Sequence, residues 1–215
     1  MIKLYSYWRS SAAYRVRIGL NLKDIEHEII PVNMLKDGGE QLADKYRQIN
    51  PQALIPALVD GDITLTQSLA ILEYLDEKYP QNSLIPGDIE NRARVRQFAQ
   101  IIACDIHPLN NLRVLKYLKR ELGVEDDARD EWYRHWIKTG FESFESALMK
   151  IDRNGPFCLG TDLTLADLCL IPQMYNAHRF EVPLQPYPTL CAIEEACLEL
   201  DAFQKATPEK QDDAT

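Results

Sequence analysis

Two adjacent hydroxyls, Ser10 and Ser11, fall where a short alternating apolar stretch gives way to a helix-like one, in Tyr5-Ser6-Tyr7-Trp8-Arg9-Ser10-Ser11-Ala12-Ala13-Tyr14. A serine at such a junction caps a helix, and either of the two is placed to do so. A helix N-terminus gathers unpaired N–H groups and the positive end of the dipole, so it is suited to holding an anion. A hydroxyl there can also donate to a thiolate, whose pKa that field lowers. The turn itself contains no cysteine. Sulfur chemistry at this place takes its sulfur from a bound cofactor.

Further along, His107, Asn110 and Asn111 fall at i, i+3 and i+4, the spacing of one helix face, and would line a cleft or a polar patch between helices. Arg9 lies in the serine turn, Arg113 follows the asparagines, and Arg179 lies in Asn176-Ala177-His178-Arg179-Phe180. Arginine grips a carboxylate with two parallel hydrogen bonds and so fixes orientation as well as charge. Cys104 and His107 have half the spacing of a metal site. A zinc site needs three or four ligands and no second pair is in sight, so no metal is assigned.

Positioning these groups takes ordinary globular architecture. With 215 residues, 46% hydrophobic and 27% charged, the chain has room for one or two domains. No run of about 18 apolar residues offers a membrane span. The N-terminus runs straight into a strand pattern, without a signal peptide. Five cysteines without disulfide-framework spacing fit a reducing, cytoplasmic compartment. The net charge of −9 argues against nucleic acid and leaves an acidic substrate dependent on local cations.

Residues 2–7 read as a strand. The stretch after Ser11 is ambiguous by period, since Val16, Ile18, Leu20 and Leu22 alternate while Ala13, Val16 and Leu20 fit a helix; the serine cap and the length decide for helix. Residues 26–33 read as a strand that Pro31 places at a sheet edge, and 40–48 as a short helix. Asp60-Gly61-Asp62 between two apolar runs signals a hairpin, and 68–79 an amphipathic helix. After the Pro- and Gly-bearing stretch around 81–89 no strand pattern returns. Helices are expected over 90–122, bent at Pro108, then 127–151, 165–177 and 189–203, with Thr164-Leu165-Ala166-Asp167 as a capping box and a frayed polar tail from Thr207.

The run Ser10-Ser11-Ala12-Ala13-Tyr14-Arg15-Val16-Arg17-Ile18-Gly19-Leu20 resembles the signature of the zeta class of glutathione transferases, Ser-Ser-Cys-x-Trp/His-Arg-Val-Arg-Ile-Ala-Leu, with Ala12 in place of its cysteine. The resemblance extends over almost the whole chain. It implies an α/β thioredoxin-like domain at 1–80 that binds glutathione, a linker at 81–89 and an all-α substrate domain at 90–215, assembled as a homodimer. It further implies a cis peptide before Pro56 and glutathione contacts at Ile55, Pro56, Gln67, Ser68, Gln41, His107 and Asn111, with Ser10 or Ser11 at the sulfur. Arg9, Arg113 and Arg179 fall where the bacterial maleylpyruvate isomerase branch uses arginines, and so imply a small dicarboxylate substrate. The implied activity is glutathione-dependent cis–trans isomerisation of maleylacetoacetate, with maleylpyruvate or glutathione conjugation of haloacids as alternatives, and a non-catalytic module of the same fold as the reading from another class. Arg15 and Arg17, past the first helical turn, read as structural ion pairs.

Overall fold

The first strand, β1 (Ile2–Ser6), alternates buried and exposed side chains, and Leu4 is fully buried. A computed structural model describes residues 1–214 of the chain. Its contacts divide it into two compact units: Met1–Leu84 with the segment from Leu198 onward, and Ile85–Cys197.

In the first unit β1 leads into helix α1 (Ser11–Leu22), whose residues from Ser11 to Leu20 are all buried. Burial on every side explains why no single period dominates that stretch. Strand β2 (His27–Pro31) pairs parallel to β1 and is an edge strand, as Pro31 requires. The helix expected over 40–48 is broken: a 3-10 turn spans Glu40–Leu42, Ala43 is extended (φ −68°, ψ 147°), and α2 covers only Asp44–Arg47. Strands β3 (Ala57–Asp60) and β4 (Ile63–Thr66) form the expected hairpin, with Gly61 taking the positive φ of +60° that the two-residue turn needs. Helix α3 (Ser68–Lys78) completes the unit's β-α-β-α-β-β-α order, and the sheet order is β2-β1-β3-β4. This is the thioredoxin-like arrangement.

At the far end of α1 the buried Lys23 ammonium ties the unit's exit segment together. It meets Asp76 Oδ1 at 2.7 Å and donates to the carbonyls of Tyr79, Gln81 and Asn82.

In the second unit α4 (Ile89–Gln100) is followed by a π-helical turn, Ile101–Ile106, in which His107 N–H donates to Ile102 O. Residues 107–110 then form turns, with Asn110 N–H donating to Ile106 O at 3.3 Å, until Asn111 caps α5 (Leu112–Arg120). The expected single helix over 90–122 is thus two helices, and the break begins ahead of Pro108. Helix α6 (Asp126–Leu148) presses on the π turn through Gly140, and α7 (Leu165–Arg179) packs on α4. The Thr164–Asp167 capping box is formed: Asp167 accepts both Thr164 N–H and Oγ1–H, and also Cys158 N–H. Helix α8 (Pro188–Leu198) is capped from outside by the buried Glu145 carboxylate, which accepts Thr189 and Leu190 N–H.

The helix expected over 189–203 breaks at Leu200 (ψ 130°), and α9 (Asp201–Ala206) packs on α1 in the first unit. The segment from Leu198 onward therefore belongs with the sheet, whereas the sequence alone predicts one helical domain over all of 90–215. The physical reason lies in α1: Arg17 Nε donates to Ala206 O at 3.0 Å, and Asn21 Nδ2 donates to Ala202 O at 3.0 Å. No helix among the described residues is long and apolar enough to cross a membrane.

Candidate functional site

The sheet register gathers the first unit's candidate residues. Tyr5 pairs with Ala57, and Ala57 pairs with Thr66. The segment after β1 (7–11), the one before β3 (55–56) and the one after β4 (67–68) therefore all lie at one end of three adjacent strands. β2 ends at that same end, opposite Ser6. Beyond it Glu40 is tied to Asn33 by two hydrogen bonds of 2.8 Å, and so Gln41 is brought there too.

Ser10 is the N-cap. It is extended (φ −70°, ψ 111°), and its Oγ accepts Ala13 N–H at 3.2 Å. Ser11 is the first helical residue and is buried. The first turn of α1 carries no acidic residue, so nothing within it offsets the positive helix end. Arg9 places its guanidinium 4.6 Å from the centre of the Trp8 ring and donates to Tyr7 Oη at 3.4 Å.

The Ile55–Pro56 peptide is cis, as the resemblance implied. The carbonyl just before it, Leu54 O, is held by Tyr46 Oη and Asn50 Nδ2, both at 2.7 Å. Ile55 joins Tyr7, Trp8, Ala13, Val32 and Tyr46 in one buried cluster, and this fixes the loop beside the serine turn. Gln67 has φ +69°, an uncommon backbone for a residue with a side chain, and its Nε2 donates to Gln52 Oε1 at 3.0 Å. Ser68 is buried and accepts from Arg15 Nη1 at 3.2 Å. Gln41 is buried, and its Oε1 has no partner among the described residues. A Cβ on Gly39 (φ +124°) would fall 2.6 Å from the Gln41 amide, so that glycine is what lets the amide lie there.

Of the two motif arginines, Arg17 binds backbone carbonyls and a hydroxyl where an ion pair was expected. Arg17 is buried and donates to Ser6 Oγ and to the carbonyls of Tyr7, Trp8 and Ala206. Burial lowers its pKa to about 10 against the raising influence of Tyr14 and Asp213. Arg15, also buried, reaches the start of α3 through Ser68. Both arginines brace the loops of the site.

In the second unit the helix expected to carry His107, Asn110 and Asn111 is interrupted by turns at 107–110 and an extended Asn111. Asn110 is buried and donates to Tyr133 O at 3.0 Å. Asn111 is the N-cap of α5, its Oδ1 accepting Arg113 N–H at 3.1 Å. Trp132 Nε1 donates to Leu109 O at 3.0 Å. Arg113 is exposed in the first turn of α5, where its cation adds to the positive helix end. Arg179, the last residue of α7, lies 4.9 Å from the centre of the Phe180 ring. Phe180 stacks on Tyr133 with centroids 3.6 Å apart. Burial raises the Tyr133 pKa, and the Arg179 charge opposes that rise. Tyr133 therefore links Arg179 to the 107–113 segment.

Three contributors escaped sequence reasoning. Tyr133 sits among ordinary aromatic positions of α6. Trp8 is the platform under Arg9, and its place beside that arginine was the available signal. Asp213 accepts Trp8 N–H at 3.1 Å from a tail that reads as polar and loose. That expectation of fraying is corrected, since Ala214 also packs on the Tyr7–Trp8 cluster.

These features agree with what the chain is similar to. A family model described as the glutathione S-transferase N-terminal domain matches residues 1–77. A probable maleylacetoacetate isomerase from Vibrio cholerae is 50% identical over 98% of this chain and 97% of its own. A solved holo maleyl pyruvate isomerase, described as a bacterial glutathione S-transferase in the zeta class, is 45% identical with a TM-score of 0.96, covering 99% of this chain and 100% of that one. A maleylacetoacetate isomerase from Methylobacterium extorquens, with malonate and glutathione bound, is 42% identical with a TM-score of 0.95 and covers 99% of each chain. The chain belongs to the zeta class of glutathione transferases.

Proposed function

We propose that the protein is a glutathione-dependent cis–trans isomerase that converts maleylacetoacetate to fumarylacetoacetate. The observation that carries this reading is the gathering, at one end of the sheet, of a helix N-terminus without a thiol, a cis-proline loop and a buried amide oxygen in want of a donor. Those groups fit glutathione. Ser10 or Ser11 takes the sulfur end, Ile55 offers its backbone beside cis-Pro56, and Gln67 and Ser68 receive the γ-glutamyl end. The Gln41 amide lies toward the glycyl end, with His107 and Asn111 as further contacts.

Bound glutathione supplies a thiolate that adds reversibly to the cis double bond, so that the bond can rotate before the thiol leaves. The chain's part is electrostatic and positional. Capping uses a lone pair of Ser10 and not its proton, so the same hydroxyl can donate to the thiolate while it holds the helix. The end of α1 favours the anion further. Arg9 stabilises the enolate that develops at the substrate keto group, and Arg113 and Arg179 take the carboxylates. Residues 1–80 thus serve chiefly glutathione and the helices that follow residue 90 chiefly the substrate, with 81–89 joining them. The homodimer and the cytoplasmic location belong to the same reading, and size-exclusion with light scattering tests the first.

A second substrate, maleylpyruvate, is favoured by the presence of all three arginines. One experiment separates these readings: isomerisation of maleylacetone and of maleylpyruvate, each with and without glutathione, by wild type and Arg113→Ala. A charge-assisted hydrogen bond contributes about 1.5–3 kcal/mol, so Arg113→Ala should lose about 10- to 150-fold in kcat/KM. Turnover without glutathione would refute the mechanism. Glutathione binding without isomerisation of either substrate would move the assignment to conjugation of haloacids.

A further inference from the structure

The segment that ends at Ala214 returns to the serine turn. After α9 a 3-10 turn at Pro208–Lys210 reverses the chain, and Gln211 Nε2 pins it by donating to Lys205 O at 3.0 Å and to Thr207 O at 2.9 Å. Asp213 is thereby aimed at Trp8, and its Oδ2 accepts the Trp8 backbone N–H at 3.1 Å. Arg17 holds the other side of the same residue: its Nη2 donates to Trp8 O at 3.0 Å, while its Nε donates to Ala206 O at 3.0 Å. Ala214 packs against the cluster that contains Tyr7 and Trp8. Both backbone polar groups of Trp8 are therefore fixed, one by the tail and one by an arginine that also grips the tail's base. The Trp8 ring is the surface on which the Arg9 guanidinium rests, 4.6 Å from its centre.

We propose that Asp213 is a positioning residue for Arg9: by holding the Trp8 peptide, the chain's own tail sets the pose of the cation that acts at the reacting centre. The inference rests on the isomerase reading and on the role given there to Arg9. A carboxylate suits the task because hydrogen bonds to charged acceptors are shorter and stronger than neutral ones. Its charge also faces the buried Arg17, which raises the cost of moving the tail away. A displacement of about 1 Å at a group of this kind can cost on the order of 100-fold in rate.

The test uses the full chain with Asp213→Ala, Asp213→Asn, Asp213→Glu, Arg9→Ala and the double variant Arg9→Ala/Asp213→Ala. Hydrogen exchange at the Trp8 amide, read by NMR on 15N-tryptophan-labelled protein, should become at least about tenfold faster in Asp213→Ala and stay near wild type in Asp213→Asn, since that bond is what protects it. The kcat for maleylacetone should fall about tenfold or more in Asp213→Ala, with glutathione affinity within about twofold of wild type, and Asp213→Asn should recover most of it. Added to Arg9→Ala, Asp213→Ala should cost nothing more. A purely structural role would lower stability and leave kcat alone, and it would overturn the inference. So would unchanged Trp8 exchange, or a kcat loss that persists in full on the Arg9→Ala background. Should Asp213→Ala not fold, Asp213→Glu, which shifts the carboxylate and keeps its charge, must lower kcat in the same pattern. An inactive wild type would refute the isomerase reading instead, and the Trp8 exchange would still decide whether the tail holds the turn.

Discussion

Replacing Gly140 by alanine asks one methyl group to fit where α6 presses on the π turn. The added Cβ would stand 2.1 Å from Ile106 Cδ1 and 2.3 Å from Cγ1. Ile106 is fully buried and branched at Cβ, so it has little freedom to swing aside. Two effects oppose one another. Alanine is favoured over glycine inside a helix by about 1 kcal/mol. Overpacking a close core contact costs about 1–3 kcal/mol. The net expectation is a loss of about 1 kcal/mol in the wild-type background. Ile106→Ala removes the obstructing atoms and alone costs about 2–5 kcal/mol. On that background Gly140→Ala should stabilise by about 1 kcal/mol from helix propensity and about 0.8 more from the buried methyl. The same substitution thus reverses sign, with a coupling of about 3 kcal/mol. Urea unfolding followed by circular dichroism reads the four proteins, provided the slope m stays constant across them. Because Ile106 immediately precedes His107, a glutathione contact in the proposed site, Gly140→Ala should also weaken glutathione binding. If Gly140→Ala raises stability by the full helix-propensity gain in the wild-type background, or has equal effects in both, the close approach of α6 to the π turn is refuted.

Two further perturbations probe the buried polar groups. Lys23→Met should destabilise the first unit by about 3 kcal/mol, because it leaves the Asp76 carboxylate with only the Ser83 hydroxyl and Leu84 N–H and deprives the carbonyls of Tyr79, Gln81 and Asn82 of their donor; the melting temperature should fall by about 10 °C, and an unchanged melting curve would contradict the burial of the Lys23 ammonium. Asp167→Ala should cost about 2–4 kcal/mol by leaving the Cys158 and Thr164 donors unpaired. Burial raises the Asp167 pKa above 3.8, and its hydrogen bonds from Cys158 and Thr164 only partly oppose that. A carboxyl whose pKa is raised on folding contributes most below its unfolded value, and the contribution is lost as pH climbs through the folded value. The stability advantage of wild type over Asp167→Asn should therefore shrink as pH rises from about 4 toward neutrality, and a growing advantage would reverse that sign.

Local chemistry made parts of this molecule legible in the sequence. The Ser10 cap, the Asp60-Gly61-Asp62 hairpin and the Thr164–Asp167 box are written in a few adjacent residues, and each forms as read. What the sequence hides are contacts between distant residues. The break after Gln100 was assigned to Pro108, yet the chain already leaves the α-helix at Ile101, where the π turn meets Gly140 of another helix. The short helix at 40–48 gives way because the segment is anchored back to Asn33 through Glu40. The Asp213–Trp8 bond spans 205 positions, and a short polar tail carries no periodicity that could announce it. Among the candidate site residues, those at strand ends were legible because the sheet register follows from the order of elements. The setting of His107, Asn110 and Asn111 was not legible because it depended on whether the helix is continuous there.

The family signature itself then takes on a physical meaning. Of its polar residues only the serines lie at the anion end of α1. Arg15 reaches the start of α3, and Arg17 reaches β1, the serine turn and the base of the tail. The signature is in this sense mostly a description of how α1 is fastened to the loops around it. Ala12 fits the same logic: it is buried in the first helical turn, where a small apolar residue packs as a cysteine would. In the proposed mechanism a thiol at that position is dispensable because the sulfur arrives with glutathione, whereas the arginines are not, because without them the loops proposed to receive glutathione lose their common anchor. It follows that Arg17→Met should damage glutathione binding and substrate turnover together, whereas Arg113→Ala should damage turnover alone.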